Sequence, residues 1–360
     1  MSAKKVVCLI EDLNSGGAER QLTGLAILLK QSGYDVAVWT YYPGDFYLHD
    51  LVDAGVKYRY IASAQNKFRR IPALRKELSK FNPATVIAYL DTACIVACII
   101  KLLGGKFNLI VSERNTTQKL SFKERLKFFC YRFADHIVPN SYSQTGFIGN
   151  HYPNLTKKLT CITNFVDTDR FFPSNDKIDS KSVRILTAAR IMPQKNIKNY
   201  IRAVRQVIER GHNVHVDWYG QRFDGDYYGE CVKIIAECGL QNIFRFHEPE
   251  KDIILQYRSS DLFCLPSYYE GFPNVVCEAM SCGLPVVCGN VCDNPRLVIP
   301  GVNGYLFTPD SVEDMADALS EFLSLDTNTR SKFSTASRDM AMTMFSKTSF
   351  ITKYKNIIDE

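Results

Sequence analysis

The sequence predicts an α/β protein made of two doubly wound parallel sheets. Three observations carry this prediction. Short apolar runs alternate with longer runs whose apolar residues recur at helical spacing; strands joined through helices return in the same direction and form a parallel sheet. The alternation stops at a polar stretch, PSNDKIDSKS (173–182), and restarts at 183. The chain has 360 residues, 46% of them hydrophobic, which suffices for two cores at about 100–200 residues per domain.

In chain order, VVCLI (6–10) reads as the first buried strand, followed by a helical run over 18–31. VAVWTY (36–41), TVIAYL (85–90) and NLIVS (108–112) follow as strands. HIVPN (136–140) and KLTCITN (158–164) continue that sheet. The runs are nearly continuous in apolar residues, as strands covered on both faces must be. The second series is VRILTAA (183–189), NVHVDWYG (213–220), DLFCLP (261–266) and LPVVCG (284–289). Phe345, Phe350, Tyr354, Ile357 and Ile358 predict a last helix. The expected domains are 1–165, a linker at 166–182, 183–342, and a final helix at 343–360. Doubly wound sheets bind ligands beyond the carboxyl ends of their strands. Chemistry is therefore sought just after each strand.

Composition narrows the function classes. The most apolar run, ACIVACIIKLL (93–103), falls short of the ~20 residues of a spanning helix, and Lys101 interrupts it. The opening residues pass straight into VVCLI without the pattern of a signal peptide. Twelve cysteines form no CxxC pair and no Cys/His ligand cluster, so buried free thiols in a reducing, cytoplasmic compartment are expected. Residues 1–165 carry 22 Lys+Arg against 12 Asp+Glu, net +10, and the remainder nets −4. A basic half suggests an anionic surface as partner. KFRRIPALRKELSK (67–80) and KLSFKERLKFFCYRF (119–133) mix cations with apolar residues at helical spacing. Such helices either lie on anionic lipid or bury the stripe as ordinary surface helices. No recognised nucleic-acid motif surrounds the charges, so nucleic acid is not an expected partner.

Three segments after strands carry candidate chemistry. NSGG (14–17) brings Gly16 and Gly17 to a helix start, where backbone N–H groups are free to meet a phosphate; a simple tight turn is the alternative. ARIMPQKN (189–196) places Arg190 and Lys195 past a strand end, where two cations can face a diphosphate or simply be solvated. PSYYEGFPNVVCEAMSCGLPVV (266–287) is the most informative string. Glu270 lies in the loop after DLFCLP, and Glu278 lies in a short helix beginning near Asn274. A carboxylate there can accept two ribose hydroxyls, and Gly271 and Phe272 add backbone N–H groups.

With these strings in order, the sequence resembles the family 4 glycosyltransferases of the GT-B fold. EGFPNVVCEA with its E-x7-E spacing is the most specific mark, followed by SCGLPVV. SGGAER, CITNFVDTDRF, AARIMPQKN and GVNGYLF match in sequence order. The resemblance implies two Rossmann-like domains facing across a cleft, the first binding acceptor, with the last helix crossing back to it. The second domain would hold a nucleotide sugar, usually UDP-linked, and no other cofactor. Arg190 and Lys195 would neutralise the diphosphate, Glu278 would bind ribose, and Glu270 the donor sugar. Gly271, Phe272 and Asn274 would line the same site, and Gly16 and Gly17 would close over the phosphates. Anomeric configuration would be retained and no metal needed. DxD strings occur at 167–169 and 224–226, but in another glycosyltransferase fold that pattern marks the metal site.

The resemblance also has departures. Many relatives place a histidine after the fourth strand of the first domain; here the string is SERNT (112–116). This variant resembles enzymes that extend polyprenyl-diphosphate-linked glycans, so Glu113, Arg114 and Asn115 become substrate-binding candidates. Asp91, after TVIAYL, joins them as an acceptor contact, while His136 opens a strand and reads as structural. Asn196 replaces a frequent glycine, which predicts the loss of a close backbone contact, and Pro273 removes one N–H. The expected activity is transfer of a hexose or N-acetylhexosamine to a lipid-linked or polysaccharide acceptor at the cytoplasmic membrane face. A nucleotide-sugar epimerase and a non-catalytic sugar-nucleotide-binding subunit are the rivals.

Overall fold

The structure, a computed structural model, describes residues 3–117, 119–174, 182–222, 225–250 and 252–360. The chain forms two compact units, one of residues 1–165 with Lys347–Glu360 and one of Val166–Ser346. The linker expected at 166–182 falls partly outside the described residues, at 175–181; residues 166–174 belong to the second unit.

The first unit is built on six parallel strands: β1 (Lys5–Leu9), β2 (Asp35–Thr40), β3 (Lys57–Tyr60), β4 (Thr85–Tyr89), β5 (Asn108–Glu113) and β6 (His136–Pro139). Their order is β3-β2-β1-β4-β5-β6. Val6 pairs with Val36 on one side and Thr85 on the other, so the strand order reverses between β1 and β4. Successive residues of β1 feed opposite cores. Val6 and Cys8 pack with Leu22, Leu25 and Leu29 of the helix Gly17–Gln31. Val7 and Leu9 pack in the layer of the helices Arg70–Phe81, Asp91–Leu102 and Phe122–Tyr131. Burial on both faces explains the continuous apolar runs.

The last helix, Lys347–Asp359, belongs to this unit. Tyr354 Oη lies 2.9 Å from Tyr89 Oη, Asn108 donates to Ile357 O at 3.1 Å, and Lys4 pairs with Asp359 at 2.9 Å. Residues 343–346, read from sequence as the start of this segment, lie in the second unit, where Phe345 O accepts from Val166 N at 3.0 Å.

The second unit repeats the plan with β7 (Val183–Ala188), β8 (Val214–Tyr219), β9 (Phe244–His247), β10 (Leu262–Leu265), β11 (Val286–Gly289) and β12 (Gly304–Phe307), all parallel. The order β9-β8-β7-β10-β11-β12 reverses between β7 and β10. The helix Ile197–Glu209 buries Ile197, Tyr200, Ile201, Val204 and Val207 at helical spacing.

KLTCITN departs from the sequence reading. Thr160 and Ile162 donate to β6 at 3.0 and 3.1 Å, but only Leu159 forms a bridge, with Ile137, so no seventh strand results. All twelve cysteines are free thiols. Among the described residues no helix is long and apolar enough to cross a membrane.

Candidate active site

Four loops of the second unit meet at the point where its strand order reverses. The segment after β7 passes through exposed Arg190 and the single turn Pro193–Lys195. It enters the helix Ile197–Glu209 through Asn196 at φ +56°. Asn196 Nδ2 donates to Pro266 O after β10 (3.1 Å) and to Pro309 O after β12 (2.7 Å). Gln194 Nε2 donates to Tyr269 O at 2.7 Å, and Tyr268 N to Gln194 O at 3.0 Å. The backbone N–H of Glu270 points at Cys292 Sγ, after β11, at 3.4 Å. Gly220, after β8, lies so close to Ala189 that a Cβ would stand 1.8 Å from its carbonyl oxygen. No larger residue fits there.

This scaffold brings Lys195 and Glu270 together. Their Nζ and Oε1 atoms lie 2.6 Å apart, with each side chain 11% exposed. Glu278 is the fifth residue of the helix Asn274–Ser281 and is buried. Its Oε2 accepts from Tyr257 Oη at 3.2 Å. Phe272 is buried against Phe345, with ring centroids 6.0 Å apart; Gly271 and Asn274 are half-buried. Pro273 precedes the helix and offers no N–H. The Ser267 hydroxyl, fully buried in the same loop, has no hydrogen-bond partner among the described residues.

The first unit places its candidates around β1, β4 and β5. Gly16 caps the helix Gly17–Gln31 in an extended conformation, without a side-chain cap, and Tyr47 Oη donates to its carbonyl at 3.3 Å. A Cβ there would meet only the flexible Glu19 carboxylate. Packing within this unit therefore gives little reason for glycine at 16. Asp91 begins the helix after β4 and keeps 17% of its side chain exposed. Asn115 is exposed and donates to Asp91 Oδ1 at 3.4 Å. Glu113 is enclosed, and Tyr131 Oη donates to its Oε2 at 3.0 Å. Burial pushes the Glu113 carboxyl up, partly offset by Lys127. Arg114 is half-buried over the Tyr89 ring, 4.1 Å from its centroid. It donates to Asn164 Oδ1 (2.7 Å), Tyr354 Oη (2.8 Å) and Tyr89 Oη. Asp91 and Asn115 thus reach the surface together, while Glu113 and Arg114 hold the unit's interior. His136 opens β6 at the amino end of the sheet.

Two family models match the chain. One, described as "Glycosyl transferases group 1", covers residues 169–340, and the other, "Glycosyltransferase Family 4", covers 15–170. The chain belongs to the family 4 glycosyltransferases. It is 25% identical over 325 residues to the amylovoran biosynthesis glycosyltransferase AmsD of Erwinia amylovora, covering 89% of this chain and 90% of that one. Anabaena HepE in complex with UDP superposes with a TM-score of 0.87 at 20% identity, over 99% of each chain. Its complex with UDP-glucose gives 0.84 at 21%, again over 99% of each chain. A glycosyltransferase from Rickettsia africae ESF-5 gives 0.86 at 17%, over 99% of this chain and 98% of that one. The shared fold is GT-B.

Four residues of this glycosyltransferase make contacts that were not read from the sequence. Tyr257, which reaches Glu278, and Cys292, which faces the Glu270 N–H, come from elements far along the chain. Lys127 lies 3.0 Å from Glu113 and 3.3 Å from Asp91. Its sequence neighbours suggested a helix that lies on anionic lipid or buries its stripe as an ordinary surface helix. Asn196 had a signal, since asparagine tolerates the left-handed region better than most residues. Its side-chain amide keeps the loops together. Of the two DxD strings, Asp224 lies outside the described residues, and the 167–169 string forms a turn. Among the described residues no group of three or more His, Cys, Asp or Glu side chains gathers to hold a metal ion.

Proposed function

We propose that this chain transfers a hexose or N-acetylhexosamine from a UDP-sugar to a lipid-linked or polysaccharide glycan, retaining the anomeric configuration without a metal ion. The observation that carries this reading is the Lys195–Glu270 pair, 2.6 Å apart where the second sheet reverses its strand order. An ammonium has three N–H donors. Lys195 can keep one on Glu270 and turn the others, with Arg190, to a diphosphate. Each charge-assisted bond contributes about 1.5–3 kcal/mol. Glu270 then accepts from sugar hydroxyls, and Glu278, steadied by Tyr257, from the ribose. HepE bound to UDP-glucose and AmsD, named for amylovoran biosynthesis, fit this donor and acceptor class.

In the reaction the acceptor oxygen bonds to the anomeric carbon as the carbon–phosphate-oxygen bond breaks. The electron pair leaves with UDP, and the acceptor proton passes to the departing phosphate on the same face. Lys195 and Arg190 stabilise the charge that develops on that phosphate. The proposed place of action is the cytoplasmic face of an anionic membrane, reached through the basic first unit.

Thermal unfolding with UDP, GDP, ADP or CMP, each with EDTA present, tests the donor. A ligand at 100 times its Kd stabilises by about 2.7 kcal/mol, a shift of several degrees. UDP alone is expected to shift the transition. Glu278→Ala should lose most of that shift; Glu270→Gln should keep it and lose UDP-sugar turnover. A shift with none of the nucleotides, or normal turnover in both variants, would overturn the assignment. Interconversion of UDP-sugars without release of UDP would point to the epimerase.

A further inference from the structure

The loop that joins β3 to the helix Arg70–Phe81 carries cations without acids, and the chemistry above makes no use of it. No Asp or Glu stands between Asp53 and Glu77, while Lys67, Arg69 and Arg70 crowd the end of the loop. Among the described residues none of these three cations forms an ion pair. Lys67 and Arg69 are exposed, but Arg70 is only 4% exposed. A buried charge without a counter-charge is costly.

The hydrogen bonds of Arg70 leave part of it open. Its guanidinium carbon lies 4.2 Å from the Tyr41 ring centroid and 5.1 Å from that of Tyr42. Both tyrosines follow β2, so the group sits at the carboxyl end of the first sheet, where doubly wound sheets take ligands. A guanidinium has five N–H donors. Nε donates to Ala64 O at 3.0 Å, and Nη2 to Tyr42 Oη at 2.7 Å and Gln65 O at 3.1 Å. The two donors on Nη1 have no acceptor among the described residues, and Nη1 is not one of the enclosed polar atoms without a partner, so solvent reaches it. The neighbouring Tyr41 hydroxyl is enclosed and has no hydrogen-bond partner there. Burial and then the charge of Glu11 push that hydroxyl's pKa up, while Arg70 acts against them; Glu11 forms no ion pair with Arg70. Clipping the loop to β2 needs only the three bonds already made. Two open donors on an uncompensated charge suit an anion.

The same loop shows what the anion is attached to. Phe68 is 95% exposed, more than any other large hydrophobic side chain among the described residues. It stands between Lys67 and Arg69 on a turn held by Asn66, whose Oδ1 accepts from Phe68 N at 2.9 Å and whose carbonyl accepts from Arg69 N at 3.1 Å. Free phosphate would engage the cations and leave the ring in water. An apolar chain alone would leave Arg70 unmatched. A charged head on an apolar tail engages both.

We infer that the loop 61–70 binds the phosphate end of a lipid phosphate: Arg70 Nη1 donates to a phosphate oxygen, Lys67 and Arg69 balance the remaining charge, and Phe68 packs on the first carbons of the lipid. The site lies wholly within the first unit. Its polyprenyl-diphosphate class rests on the transfer reading, in which the acceptor is lipid-linked, and binding alone tests it.

The full chain is titrated calorimetrically with farnesyl diphosphate, a soluble polyprenyl diphosphate, and with its two halves, inorganic pyrophosphate and farnesol. UDP is kept saturating so that Arg190 and Lys195 are occupied. The wild type should bind farnesyl diphosphate about tenfold or more tighter than either half. Phe68→Ser, at an exposed position, should leave the melting temperature and pyrophosphate binding unchanged and weaken farnesyl diphosphate about fivefold or more. Arg70→Gln should weaken both diphosphates about tenfold or more and spare farnesol. Farnesyl diphosphate bound no tighter than pyrophosphate and unmoved by Phe68→Ser would mark a site for free phosphate and overturn the inference. Farnesol bound as tightly as its diphosphate, or wild-type affinities in Arg70→Gln, would overturn it equally. Should Arg70→Gln fail to fold, Phe68→Ser and the farnesol comparison decide. A wild type whose melting UDP does not shift counts against the donor reading; the same titrations without UDP then still decide this one.

Discussion

Asn196 is the residue on which the donor-side loops depend. Its left-handed backbone costs a side-chain-bearing residue about 1–2 kcal/mol. Its amide also supplies both Pro266 O and Pro309 O in a buried setting, at about 1 kcal/mol per bond. Asn196→Ala keeps the strained backbone and loses both bonds, so it should cost about 2 kcal/mol and lower the melting temperature by on the order of 4–8 °C. Asn196→Gly loses the same bonds but is relieved of the left-handed backbone cost, and should cost roughly half as much. Equal melting temperatures for the two variants would refute the backbone part of this account. At this scale the sequence was informative where one segment carries the chemistry, as Glu270 and Glu278 do on a single loop and helix. It was silent where partners meet from distant segments. Lys127 and Asp91 lie 36 residues apart, with β5 between them, and nothing near either residue announces the other.

At the scale of elements, the interior strands were legible and most edge strands were not. β3 (KYRY) and β9 (FRFH) each lie at a sheet edge, and β12 closes the other edge of the second sheet. β3 is largely exposed and β9 has one buried, one exposed and two half-buried positions, so neither needs a continuous apolar run. β12 is only four residues long and begins at a glycine. The inner strands also hold a polar group that the apolar pattern hides. Asp217 on β8 lies 2.7 Å from His247 Nε2, 3.4 Å from His215 Nε2 and 3.3 Å from Arg184 Nη2. Burial alone would raise its pKa, but the His247 hydrogen bond, the His215 charge and Arg184 outweigh it and lower it. A depressed folded pKa gives stability that is present above the unfolded value, about 3.9, and is lost as pH falls through the folded one. Denaturant titrations of wild type and Asp217→Asn from neutral pH into acid should show a stability gap that narrows below about pH 4. A gap that stays constant across that range would mean the carboxylate charge contributes nothing there.

Over the whole molecule, charge is the least symmetric property. Residues 1–165 net +10 while the rest nets −4, and the cations of the first unit sit beside exposed apolar side chains. On the helix Phe122–Tyr131, Lys127 and Phe128 turn inward, while Phe122, Leu126 and Phe129 are 83%, 50% and 52% exposed. These three recur at i, i+4 and i+7, so they share one face. Lys119, Lys123, Arg125 and Arg132 are exposed around them, with Arg132 stacked 4.5 Å from the Phe129 ring centroid. A helix face of this kind suits an interface in which the rings enter the headgroup layer and the cations meet lipid phosphates. At about 1 kcal/mol per cation near an anionic surface, the four contribute on the order of 4 kcal/mol, close to a thousandfold in affinity. The full chain should therefore sediment with phosphatidylglycerol vesicles at low salt, and much less with pure phosphatidylcholine. Replacing the four cations by serine should remove most of that binding. Phe122→Ser with Phe129→Ser should instead abolish the fraction that survives high salt, because screening weakens only the charged part. Binding that ignores salt, lipid charge and both sets of changes would show that this face meets something other than an anionic bilayer, and the acceptor would then reach the enzyme without the membrane's help.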